Sequence, residues 1–196
     1  MIMPFSMSQS DRPLWTTGAI AQALHLPPAS TRVWCSRKTK RGELLRLKRD
    51  LYVLPAVFDQ FGEEKMLKLA NLLQTPSYIS CLSSLSFHQL TTQLPVSRIE
   101  SMNPVRSRTY QIKDWLFRYY YCQPSYYFGF TRQQGLFVAS PEKALLDALY
   151  LLCFGRYALD ASALNLGKID WPLLEKYSKK YPARTQKFIK KWRENR

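Results

Sequence analysis

A chain of 196 residues, 46% apolar and 14% aromatic, is long enough for one medium domain or two small ones with real cores. Its four cysteines (Cys35, Cys81, Cys122, Cys153) are widely spaced, with no C-x-x-C pair and only two histidines beside them. This argues against a disulfide scaffold or a zinc module and predicts reduced thiols and no metal. The apolar stretch 144–154 is too short to span a bilayer and is broken by Asp147, and residues 1–12 lack a signal-peptide pattern, so a soluble cytoplasmic protein is expected.

The net charge of +15 is unevenly placed. Between Arg32 and Arg49 there are eight Lys or Arg residues against one acid, Glu43, while residues 50–167 carry ten basic and nine acidic groups. Residues 168–196 hold ten basic and three acidic groups, so two basic segments flank a nearly neutral middle. A single charge run often serves only solubility; clustering at both ends favours a polyanionic partner, with nucleic acid first.

In chain order, residues 1–13 are polar and aperiodic and read as a disordered arm. Thr16 or Thr17 can cap a helix carrying Ala19, Ile20, Ala23 and Leu24 at helical spacing, which the run Leu26-Pro27-Pro28 then stops. A second helix is predicted over residues 30–41, with Ser30 as its cap, Val33 and Trp34 as its anchors and Gly42 as its terminator. Leu45 and Leu47 alternate with Arg46 and Lys48, and Tyr52-Val53-Leu54 can return beside them, giving a hairpin over 43–54 with Lys48-Arg49-Asp50 at its tip.

A helix followed by a basic hairpin is how a winged helix meets DNA, although a complete one carries a further helix for which residues 1–13 offer no pattern. The wing would grip phosphates and the exposed helix face would read bases, giving Thr31, Arg32, Arg37, Lys38, Lys40, Arg41, Arg46, Lys48 and Arg49 as candidate DNA contacts. Thr31, Arg32, Arg37 and Lys38 are the candidate base readers.

Beyond Pro55 a larger mixed unit is expected to residue 167, so that the DNA-binding unit spans 14–56. Residues 63–73 read as a helix; 78–90 start extended and become helical; 98–111 and 116–121 read as strands. Nine of the sixteen residues from Trp115 to Phe130 are aromatic. With Arg118 their one cation, they fit a packed core better than a base-stacking platform. Stacking by Tyr119 and Tyr121 is nonetheless the basis of the alternative reading, an RNA-binding, single-strand-binding or nuclease-like protein. Ser140-Pro141-Glu142 opens a core helix with Lys143 and Asp147 as an i, i+4 pair. Residues 168–196 read as a basic tail of two short amphipathic helices split at Pro182, with Lys187, Lys190 and Lys191 as a secondary nucleic-acid contact.

Catalytic constellations are sparse. His88 lies near Ser83, Ser84 and Ser86 without a G-x-S-x-G elbow, and Glu63-Glu64-Lys65 reads as a helix first turn. Glu142 and Asp147 are five apart, a poor spacing for one helix face. There is no Gly-rich phosphate loop, so neither an enzyme nor a cofactor is expected.

Several segments carry a family resemblance: Arg41-Gly42-Glu43-Leu44 and Arg49-Asp50-Leu51-Tyr52; Tyr78-Ile79-Ser80 with residues 83–90 (SSLSFHQL); Phe128-Gly129; and residues 139–147 (ASPEKALLD). Together they resemble the AbiEi-type antitoxins of type IV toxin-antitoxin systems. That resemblance covers about residues 14–155 and is most specific in the last motif. It implies an α+β protein in which an N-terminal winged helix precedes a larger antitoxin domain. It further implies binding to double-stranded DNA at the protein's own promoter, repression of its operon, and phage defence by opposing a nucleotidyltransferase toxin without a stable complex. Asp50 stands where the family usually has glycine; Asp tolerates the left-handed conformation such a tip requires.

Overall fold

A computed structural model of the protein describes residues 13–93 and 96–194. Except for Pro13, the arm expected over residues 1–13 lies outside the described residues. The chain is α+β and divides into two compact units, with the break after Lys65, at the start of a helix rather than at residue 56.

The first unit runs β1 (Trp15–Thr16), α1 (Thr17–Leu24), α2 (Pro28–Lys40), β2 (Leu45–Lys48), β3 (Leu51–Val53) and α3 (Pro55–Asp59). Its three strands form an antiparallel sheet in the order β1-β3-β2, with Trp15 opposite Tyr52 and Arg46 opposite Tyr52 on the other edge. Thr16 caps α1, its Oγ1 accepting from the Ala19 N–H at 3.1 Å. Asp50 turns the hairpin in the left-handed conformation, at φ 58°, as its short polar side chain allows. A small core of Trp15, Ile20, Cys35, Leu44 and Tyr52 closes the unit.

Two features of α2 differ from the sequence reading. The helix begins at Pro28, with Pro27 rather than Ser30 in the cap position, because proline's fixed φ suits a first turn and the missing N–H costs nothing there. Its buried residues are Thr31, Cys35 and Lys38, whereas Val33 is 50% exposed. Of the two expected anchors, Trp34 packs against the core beside these residues and Val33 does not, so the helix is rotated away from Val33. It ends in a Schellman motif: Glu43 N–H donates to Lys38 O and Gly42 N–H to Thr39 O, both at 3.0 Å, with Gly42 at φ 71°.

The second unit contains α4 (Glu63–Leu73), whose first residues precede the break, then β4 (Tyr78–Ile79), α5 (Cys81–Phe87), β5 (Arg98–Asn103), β6 (Arg108–Ile112), β7 (Trp115–Tyr121), β8 (Phe130–Gln133), β9 (Leu136–Ala139), α6 (Pro141–Cys153), α7 (Trp171–Ser178) and α8 (Ala183–Glu194). The segment 98–111, expected as one strand, is two, separated at Pro104-Val105, where Asn103 Oδ1 accepts from the Val105 and Arg106 amides. The sheet order is β6-β7-β5-β4-β9-β8, antiparallel except for β5–β7 and β4–β9.

Tyr119 on β7 faces α4, its hydroxyl donating to Ala70 O at 2.6 Å, while Tyr120 faces the opposite layer built around α6. Ser140 caps α6, which is buried on nearly all sides. The basic segment, described to residue 194, belongs to this same unit: Leu174, Tyr181, Ile189 and Trp192 are part of its main core. The four cysteines are buried and free. Among the described residues no helix is long and apolar enough to cross a membrane.

Candidate nucleic-acid interface

In the first unit, local folding sorts the basic run into a surface and an interior. Arg32, Ser36 and Lys40 recur at i, i+4 and i+8 on the outer side of α2. With Thr39, Arg46, Arg49, Asp50 and Tyr52 they line a cleft of about 400 Å³ between that helix and the hairpin. Arg46 Nε donates to Lys48 O at 3.3 Å across the bulge in β2, so its guanidinium is held by the strand that carries it. The Thr39 hydroxyl is buried with no hydrogen-bond partner among the described residues. Arg37 and Arg41 are exposed beyond this cleft, and Lys48 is half-buried beside it.

The acids of this surface are already engaged. Glu43 pairs with Lys38, and this hydrogen bond, with smaller contributions from the Lys38 and Arg41 charges, holds its carboxyl below the usual range against the upward pull of burial. Asp50 Oδ1 accepts from Thr17 Oγ1 at 2.9 Å, tying the hairpin tip to the start of α1. Six exposed cations (Arg32, Arg37, Lys40, Arg41, Arg46 and Arg49) thus dominate the electrostatics of α2 and the hairpin.

Two expected contacts are not on that surface. Thr31 is fully buried and its hydroxyl donates to Pro27 O at 3.0 Å; Lys38 is 5% exposed and paired to Glu43. Both follow from the rotation of α2, which turns positions 31, 35 and 38 inward, and neither can read a base. Ser36 and Thr39 take their place in the cleft, and the i, i+4, i+8 row from Arg32 was the signal for Ser36. The lysines Lys187, Lys190 and Lys191 are exposed on α8, opposite the buried Thr185, Ile189 and Trp192. Lys190 shares a cleft with Lys179, Arg193, Glu175 and Glu194, so the cleft's cations are largely balanced by acids.

The aromatic platform of the single-strand reading is internal. Tyr119 is 1% exposed and bonded to α4, and Phe117, Tyr120 and Tyr126 are buried, leaving Tyr121 at 38% as the exposed tyrosine of β7. His88 Nε2 and Ser84 Oγ both bond the Ala139 carbonyl at 2.9 Å, placing them in a structural role beneath the start of α6. Glu142 Oε1 accepts from the Asp170 N–H, and Glu63 and Glu64 are exposed in the first turn of α4. Among the described residues no three His, Cys, Asp or Glu side chains come together as a metal site.

The second unit holds a buried polar centre of which the sequence showed one pair. Lys143 and Asp147, both 0% exposed, form an ion pair one turn apart on α6. Asp147 also accepts from Ser80 Oγ at 2.7 Å and from the Tyr78 and Tyr181 hydroxyls, each at 2.9 Å. Burial first, then the Asp147 charge, pushes both phenols well above their usual range, so they remain protonated donors. The Lys143 ammonium lies 5.1–5.5 Å from the ring centroids of Phe128, Tyr78 and Tyr181. Gly129, at φ 72°, gives the Lys143 stem its room: a Cβ there would lie 3.0–3.1 Å from three of its carbons. Tyr78-Ile79-Ser80, Phe128-Gly129 and the 139–147 segment, distant in sequence, thus meet at one ion pair.

No protein-family model matches the chain, and a comparison with curated proteins finds no significantly similar sequence.

Proposed function

We propose that the first unit is a winged helix binding double-stranded DNA in the region upstream of its own gene. In this reading α2 is the recognition helix and the β2–β3 hairpin is the wing. The observation that carries it is the cleft in which Arg32, Lys40, Arg46 and Arg49 converge from helix and hairpin, four cations against one acid, Asp50, which accepts from Thr17 and pairs with Arg49. The strand order β1-β3-β2 with two helices between β1 and β2 supports the same reading, since it leaves a helix and a wing side by side. Arg46 and Arg49 grip phosphates; Arg32, Ser36 and Lys40 enter the groove, where an arginine fork can pair with guanine.

The protein acts in this proposal as the autorepressor and antitoxin of a type IV toxin-antitoxin system, opposing a nucleotidyltransferase toxin. Support for the antitoxin half is the convergence of three resemblance-bearing segments on the Lys143–Asp147 centre, which gives those residue types one physical reason to occur together. The test is a reporter fused to the upstream region, paired with growth rescue on co-expression with the neighbouring toxin gene. Repression relieved by Arg32→Ala with Arg46→Ala, and rescue that survives those changes, is the expected pattern. A reporter indifferent to the protein would refute the repressor role, and absence of rescue the antitoxin role.

A further inference from the structure

The second unit carries a basic cleft that the DNA-binding reading does not use. Arg98, Arg118 and Arg156, from three separate segments, line it together with Glu100, Tyr120 and Tyr157, and its volume is about 640 Å³. The sheet explains the placement. β5 and β7 are parallel, with Arg98 beside Leu116, Glu100 beside Arg118 and Met102 beside Tyr120, so Arg98, Glu100, Arg118 and Tyr120 share one face. Arg156 and Tyr157 reach the same cleft from the chain following α6, where Gly155 turns at φ 65°.

The three guanidinium groups are exposed in this cleft. None of the three makes a side-chain hydrogen bond or ion pair among the described residues, although a carboxylate lies in the same cleft. The Arg118 guanidinium lies 4.9 Å from the centroid of the Tyr120 ring, and that of Arg156 lies 5.5 Å from Tyr150 and 5.7 Å from Phe154. The Arg118 and Arg156 guanidiniums thus lie over aromatic rings, and with no hydrogen bond to the described residues their N–H donors are available for bidentate contact with phosphate.

Glu100 is 2% exposed and accepts from Tyr157 Oη at 2.5 Å and from the Leu82 N–H at 3.3 Å. It therefore fixes the floor of the cleft, and its negative charge leaves an excess of two positive charges even when ionised. A site of this charge takes an anion of at least two charges, and its volume falls within the roughly 300–1,000 Å³ of small-molecule sites. We infer that the Arg98–Arg118–Arg156 cleft binds a phosphorylated ligand of nucleotide size, its phosphates held by the three arginines and its remainder against Tyr157. The phosphate belongs either to a free nucleotide or to the phosphorylated end of a nucleic-acid strand, and the site goes beyond the DNA contacts proposed for the first unit.

The test is calorimetric titration of the full chain with ATP, adenosine, and a short single-stranded oligonucleotide with and without a 5′-phosphate. Arg118→Gln, Arg156→Gln and Arg32→Ala with Arg46→Ala are titrated alongside, each checked for an unchanged melting temperature. ATP is expected to bind and adenosine not. Each cleft substitution is expected to weaken ATP about tenfold or more, as loss of a charged bidentate contact does. Arg156→Lys, which keeps the charge and loses the stacked fork, falls between, and the Arg32/Arg46 variant binds ATP as the parent does. Tighter, equally arginine-dependent binding of the 5′-phosphorylated strand supports the site and assigns its phosphate to strand ends. No binding of either phosphorylated probe at millimolar concentration overturns the proposal. Binding lost in the Arg32/Arg46 variant but kept in the cleft variants overturns it too, and leaves the DNA-binding reading standing.

Discussion

Replacing Asp147 by Asn keeps the shape of the side chain and removes its charge. The parent carboxylate accepts from Lys143, Ser80, Tyr78 and Tyr181, with neither member of the ion pair exposed to water. The carboxamide offers one oxygen where two served, turns an N–H₂ toward donors, and leaves the Lys143 ammonium without a counter-charge. Removing one partner of a buried ion pair costs about 3–5 kcal/mol, a large part of the roughly 5–15 kcal/mol by which domains are stable. For a unit of residues 66–196, at roughly 3–4 °C per kcal/mol, the transition should fall by roughly 10–20 °C. Scanning calorimetry and urea denaturation measure it. The double change Lys143→Met with Asp147→Leu removes the unpaired charge but strands the buried Ser80, Tyr78 and Tyr181 hydroxyls, so it should recover only part of the loss. A single Asp147→Asn variant within about 1 kcal/mol of the parent would refute the argument that this pair organises the second unit.

Gly129→Ala should destabilise the same unit, because the new methyl meets the Lys143 stem and the backbone there has positive φ; an unchanged urea midpoint would contradict this. Ile189→Ala should cost about 2–5 kcal/mol while Lys187→Ala with Lys191→Ala leaves the melting temperature unchanged, since α8 is core on one side and solvent-facing on the other. Burial raises the Glu100 carboxyl above its usual range despite the Tyr157 hydrogen bond and the nearby Arg98 and Arg118 charges. The folded state therefore binds the proton more tightly than the unfolded chain, and this group's stability contribution declines as pH rises from the ordinary Glu value through the raised one. Glu100→Gln should flatten that decline in a pH series of unfolding free energies. On DNA, neutralisation of about six phosphates gives a log–log salt slope near −5, and Arg46→Ala or Arg49→Ala should each reduce its magnitude by about 0.9, whereas Lys38→Ala should act through stability.

Local signals were legible where the residue type dictates backbone geometry. Ser140-Pro141 started a helix, Gly42 ended one, Asp50 took the left-handed turn and residues 63–73 formed the helix their apolar spacing predicted. What the sequence hid was phase. Val33 and Trp34 drew the anchor assignment as the large apolar residues of a basic helix; Trp34 does pack on the core, but the fold buries Thr31, Cys35 and Lys38 rather than Val33, because Thr31 can satisfy its hydroxyl on Pro27 O and Lys38 its charge on Glu43. The Lys143–Asp147 spacing was visible, but Ser80 and Tyr181 are 67 and 34 residues from Asp147, and only the sheet and helix packing bring them to it. The β8–β9 hairpin went unread because Phe128 to Phe130 merged with the aromatic run before it.

The most direct test of the central claim is fluorescence anisotropy of the full chain on its own upstream duplex at about 150 mM salt, competed with scrambled duplex and with single strands; non-specific binding there is typically only about 10⁻⁴ to 10⁻⁶ M. The account predicts binding at least about a thousandfold tighter than to the scrambled duplex, lost with Arg32→Ala and Arg46→Ala at an unchanged melting temperature. Equal competition by any duplex, or preference for single strands, would contradict it.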